Sequence, residues 1–302
     1  MLIKHHARKL RLLCLHGMYQ NADTFAAKTK HLRALQRNED YVEYIYLDGP
    51  FTVTPRILAK QNQHGSPPQH MKKHSNASSS SLEAKSRQRP RCAKSENLFR
   101  AWWRPSGPHQ AEPTQLDQDR EVLLTFLRGQ LDQLGDIDGV LGFSQGASLA
   151  SWLCSAQARL ELRWSPKLAI LIGSYLGPQQ YSLGSGILSD TNSLHMFGVN
   201  DHVISATKSQ AVVDIFKGSQ DPANQVLTLI HSQGHVIPKC DAALAQYHSF
   251  LTQNLPSLSV SSSSSSSPSS SVGNTNATPN SNQQQQIDKP VVAGQKEEEL
   301  YL

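Results

Sequence analysis

Apolar residues fall along this chain in short, near-continuous runs that alternate with stretches of helical spacing. Residues 10–16 (LRLLCLH) form one such run ending at Gly17, the pattern of a strand buried on both faces. Residues 22–36 follow with Phe25, Leu32 and Leu35 near helical spacing, and 41–47 (YVEYIYL) are β-branched and aromatic before the stop Asp48-Gly49-Pro50. Over 116–134, Val122, Leu123, Phe126, Leu127, Leu131 and Leu134 predict an amphipathic helix closed by Gly135. Strands are then expected at 138–143, 168–172, 194–199 and 226–230, and helices at 146–158, 206–216 and 240–255. Strands this apolar, alternating with helices, predict a doubly wound α/β domain whose mostly parallel sheet is covered by helices on both faces.

Two stretches break the alternation. Residues 60–95 are rich in Pro, Ser, Lys and Arg, and 256–302 are rich in Ser and Gln, with a serine run at 261–267 and a glutamine run at 283–286. They account for a hydrophobic share of only 38% in 302 residues. The expected organisation is a basic extension over 1–9, one domain over 10–255 carrying a low-complexity insert, and a disordered tail from 256 onward.

Charge sharpens this division. The formal total is +5, yet residues 60–104 hold ten Lys or Arg against two acids, and the first eleven residues add four cations and no acid. The rest therefore carries −7, so the folded body is acidic and nucleic acid is not an expected partner. Cys14, Cys92, Cys154 and Cys240 form no metal-type or disulfide-type spacing. The 12–15 apolar run is too short for a signal core, and no window is long enough for a membrane span. A cytoplasmic location, with or without a nuclear fraction, is the expectation. Oligomeric state leaves no trace in the sequence. The His70–His74 pair has helical metal-ligand spacing, but its Ser/Pro/Lys surroundings predict no helix to hold it.

The sharpest chemical signal is Gly142-Phe143-Ser144-Gln145-Gly146, between an expected strand and an expected helix. A serine on so tight a turn projects its hydroxyl from the C-terminal edge of the sheet, beside the free N–H groups of the helix start. A serine needs a positioned base, and on such turns acid and base follow in that order on later loops. Asp201 stands two residues beyond the strand expected to end at Val199, and His235 lies in the Gly-containing loop after the last strand. Asp190 precedes its strand, Asp214 lies within a helix and Asp221 beyond it; His231 and His202 are the rival imidazoles. For an oxyanion hole, the candidates are the amides of Gln145 and of Met18, with Tyr19 second. Trp102 and Trp103, beside Phe99, are read two ways: one indole in the core, the other lining an apolar pocket together with Tyr19.

These motifs, LHGMYQNADTF, YIYLDGPF, the Trp-Trp of RAWWRPS, GVLGFSQGASLA, the Asp of GVNDHVI and GHVIP, resemble the FSH serine hydrolases over about residues 10–255. More distantly the chain resembles acyl-protein thioesterases and small carboxylesterases. The resemblance implies an α/β-hydrolase fold, Ser144, Asp201 and His235 as nucleophile, acid and base, and hydrolysis of carboxylic esters or thioesters without a cofactor or metal. The expected partner is thus a small acyl ester or thioester. The long insert before Trp102 and the tail depart from the family's compact form. A non-catalytic scaffold that binds an acidic partner through the basic insert is the alternative of a different class.

Overall fold

The computed structural model describes residues 8–34, 40–55, 98–105, 113–219 and 225–256. Leu35, the His70–His74 pair, Cys92, Asp221, most of the basic extension, the whole insert, and all of the tail but its first residue lie outside the described residues.

The strands in chain order are β1 (Leu10–Leu15), β2 (Val42–Leu47), β3 (Phe51–Thr52), β4 (Arg100–Ala101), β5 (Gly139–Phe143), β6 (Leu168–Ile172), β7 (Asn192–Gly198) and β8 (Val226–His231). Six of them form one sheet in the order β2-β1-β5-β6-β7-β8, with every pairing parallel. Period-two alternation sorts their side chains between two cores. Leu13, Leu15, Val140, Ala169 and Leu171 face the helices Pro113–Leu134, Gln145–Leu153 and Ala156–Leu162. Leu12, Cys14, Leu141, Phe143 and Ile170 face the helices Ala22–Lys28, Lys30–Ala34 and Asp241–Gln253. Because both faces are covered, β5 and β6 are buried at every residue.

Beyond β1 the chain moves outward to β2, then returns to β1's other side at β5. The helices that follow β1 and β5 lie on opposite faces of the sheet, which opens a crevice outside the C-terminal ends of these two strands. Gly17–Gln20 and Ser144 both sit at this switch point.

Two expected helices are each divided in two. Thr29 interrupts the first: its hydroxyl donates back to the Phe25 carbonyl at 2.9 Å and meets the Tyr46 hydroxyl, which draws the chain toward β2. Ser155 interrupts the other, adopting extended backbone and accepting the Ala158 N–H at 3.1 Å to start a new helix. Val122, expected on the apolar face of its helix, is 49% exposed, while Leu123, Leu124 and Leu127 are buried.

A feature without a sequence counterpart above is the antiparallel pair β3–β4. Val53 donates to the Phe99 carbonyl at 2.8 Å, so the chain departs toward the insert and returns from it at adjacent points. The same pair lies against the loop after β1: Arg100 donates to the Gln20 carbonyl, and Tyr19 donates to that of Arg100. No helix among the described residues is long and apolar enough to cross a membrane.

Candidate active site

The turn at Ser144 is built by close backbone approach. A Cβ on Gly142 would lie 2.4 Å from the Gly146 carbonyl oxygen, and one on Gly146 would lie 2.1 Å from that of Leu15. Only glycine at both positions lets the helix Gln145–Leu153 begin against the ends of β5 and β1. Ser144 itself has φ 54° and ψ −120°, a left-handed conformation that a non-glycine residue holds at a cost of about 1–3 kcal/mol. Its N–H donates to the Ile172 carbonyl and its carbonyl accepts from Ala147 and Ser148, each at 2.9 Å. From Gly139 to Ser155 it is the one residue that is not buried.

Asp201 and His235 meet at the same rim. Asp201 is 6% exposed. Its Oδ1 accepts the Val203 and Ile204 N–H groups at 2.9 and 2.8 Å, and its Oδ2 lies 2.6 Å from His235 Nδ1. A carboxylate so engaged accepts from Nδ1–H, which leaves Nε2 as the basic nitrogen. Nε2 is buried and has no hydrogen-bond partner, so the bond from Ser144 Oγ to Nε2 is not made in this structure. The imidazole packs on Phe143, the residue before the serine, with centroids 4.8 Å apart. Its edge also lies over Gly173, where a Cβ would stand 3.1 Å from Cε1.

The rivals are accounted for elsewhere. Asp190 pairs with Lys167 at the opposite end of the sheet, Asp214 accepts from Gln210, and His202 is exposed. His231 is buried with neither ring nitrogen partnered; burial holds its pKa below the ordinary histidine value, and Asp201 opposes that shift.

Of the oxyanion candidates, Tyr19 commits its N–H to Arg100, whereas the Met18 and Gln145 amides make no hydrogen bond among the described residues. Their loop is braced by His16. Its Nε2 accepts the Gly49 N–H at 2.9 Å, so Nδ1 carries the proton and donates to the Gly17 carbonyl at 2.8 Å. Burial lowers the His16 pKa, consistent with a neutral ring.

The tryptophans depart from the expected pocket role. Trp102 is 0% exposed and its indole N–H donates to the His16 carbonyl at 2.7 Å. Trp103 is buried too, stacked on Tyr181 with centroids 4.8 Å apart. The Gln145 side chain holds both, accepting from Trp102 N–H at 3.0 Å and donating to the Trp103 carbonyl at 2.9 Å. Two adjacent indoles reach the core together because this bridge and the Asp119 carboxylate, which takes the Arg104 N–H and guanidinium, fix the segment. Tyr19 remains half-buried at the rim with φ 62°.

A cleft of about 910 Å³ lies instead beside His235. Its walls are Thr24, Ala27 and His31 on one side and Val236 and Ile237 on the other, with Phe143 at its base. Sequence reasoning missed it because its walls come from two segments more than 200 residues apart.

A parallel sheet with a strained serine at the switch point and an Asp–His pair on later loops defines an α/β-hydrolase fold. Two solved structures share it. A carboxylesterase from Bacillus cereus is 14% identical at a TM-score of 0.50, covering 81% of this chain and 88% of its own. Acyl-protein thioesterase 2 from Zea mays is 16% identical at a TM-score of 0.50, covering 84% and 97%. Residues 5–247 match the family model described as Serine hydrolase (FSH1), and the chain belongs to that family. Esterase OVCA2 of Mus musculus is 32% identical over 252 residues, which are 81% of this chain and 96% of that protein.

Proposed function

We propose that this serine hydrolase cleaves carboxylic esters through Ser144, His235 and Asp201. His235 Nε2 takes the hydroxyl proton as Ser144 Oγ attacks the ester carbonyl; Asp201 keeps the ring in the Nδ1–H tautomer and stabilises the imidazolium that forms. The oxyanion is held by the Met18 and Gln145 amides. Collapse expels the alcohol, protonated by His235, and water repeats the sequence on the acyl-enzyme. No step calls for a metal or cofactor.

The observation that carries this is the 2.6 Å Asp201–His235 contact on the rim where the only unburied residue of the elbow is a serine. The free Nε2 fits an acceptor whose contact with the hydroxyl tightens when substrate arrives. The name of the mouse relative, an esterase, supports the ester over the thioester. The test is a matched pair of butyryl substrates, an oxygen ester and a thioester with the same leaving skeleton. A pre-steady-state burst with the ester, a higher kcat/KM than for the thioester, and loss of both in Ser144→Ala are expected. A thioester kcat/KM at least tenfold the higher would make the protein a thioesterase instead.

A further inference from the structure

The cleft beside His235 has a basic rim. Lys28 and Lys30 stand on one wall and Lys239 on the other, all three exposed, with His31 between them, and among the described residues no acidic side chain lines the cleft. No ion pair engages these lysines among the described residues. Lys239 is close enough to His31 to help lower its pKa, after the larger effect of burial, so the two walls bring like charge together. Cations gathered with no ion pair among the described residues, in a body whose remainder is acidic, fit an anionic ligand.

The cleft's position says which part of a substrate it faces. His235 and Phe143 line it, whereas Ser144, Met18 and Gln145 do not. In ester cleavage the group nearest the base is the leaving alcohol, which receives its proton from His235. We infer that this cleft receives the leaving group, and that the preferred leaving alcohol or thiol carries a carboxylate or phosphate held by Lys28, Lys30 and Lys239. The apolar walls, Ala27, Val236 and Ile237, suit a short alkyl spacer between the scissile oxygen and the anion. The inference rests on the esterase reading and names the substrate class of the same site.

The test uses the full chain and butyryl esters of 6-hydroxyhexanoate, of 6-hydroxyhexanamide and of 6-hydroxyhexyl phosphate, with hexyl hydrogen adipate carrying the charge on the acyl side. The expected result is a kcat/KM about tenfold higher for the two anionic leaving groups than for the amide, since each exposed pair adds a modest increment. The ratio between the carboxylate and phosphate esters identifies which anion is preferred. The advantage falls toward one as salt rises to about 0.5 M, and toward one in the Lys28→Gln/Lys30→Gln/Lys239→Gln variant. Equal rates for charged and neutral leaving groups, an advantage that survives salt, or one seen only with the adipate ester would overturn the proposal. Should the variant fail to fold, the salt dependence of wild type still decides. Absence of hydrolysis of all four esters, by contrast, would strike the esterase reading itself.

Discussion

Ser144 and His235 stand on the same rim but are held by different means. Both halves of that rim use a glycine for close approach: Gly146 against the Leu15 carbonyl, and Gly198, where a Cβ would lie 2.0 Å from the Gln233 carbonyl oxygen. Beyond this they diverge. Ser144 is aimed by its own backbone, a positive φ locked between a strand and a helix. His235 is aimed by side chains, through one hydrogen bond to Asp201 and ring packing on Phe143. The serine is thus fixed by the fold, while the imidazole is fixed by a single polar contact that can be removed without disturbing the fold.

The contrast can be broken at its ends. Ser144→Ala should lower kcat for a simple ester by at least about 10⁴-fold with unchanged urea stability, because the residue's helix and strand bonds are made by its backbone. Asp201→Asn should lower kcat by about 10³–10⁴-fold. The amide oxygen can still accept from Val203 and Ile204, so a matched unfolding midpoint with lost activity separates orientation of His235 from loop folding. Gly146→Ala should behave oppositely, costing about 3 kcal/mol of stability by overpacking against β1; denaturant unfolding measures it. Gln145→Ala should cost about 1–3 kcal/mol, since the Trp102 N–H and Trp103 carbonyl lose buried partners. Trp fluorescence should report the loosened segment.

The gentlest perturbation is a change of pH. Burial pushes the His195 pKa down to about 3 and lowers that of His16. Below the unfolded value near 6.5, the unfolded chain takes up these protons and the folded chain does not. Stability should therefore fall as pH drops below 6.5, by up to about 1.4 kcal/mol per pH unit for each such histidine while its folded form stays neutral, a range that for His195 runs down toward pH 3. Unfolding midpoints that stay flat between pH 7 and 5 would show that these rings are not held neutral.

The order and type of the sheet elements were legible because a parallel sheet covered on both faces leaves unbroken apolar runs, as at 168–172. Ser144 was legible for the related reason that Gly142 and Gly146 record a steric demand of the backbone. Asp201 and His235 were legible by order along the chain, since each falls just beyond a strand end. What escaped was set by contacts distant in sequence. The β3–β4 pair joins residues 51–52 to 100–101 across the insert, the burial of both Trp102 and Trp103 depends on the Gln145 bridge, and the cleft is walled by residues near 24–31 and 235–239.

The most direct measurement is mass-spectrometric mapping of the adduct formed with an alkyl fluorophosphonate, together with its labelling rate. The account predicts one adduct, on Ser144, lost in Ser144→Ala and slowed by about 10³-fold or more in a folded His235→Ala variant. An adduct on another serine, or a His235→Ala variant that labels as fast as wild type, would contradict it.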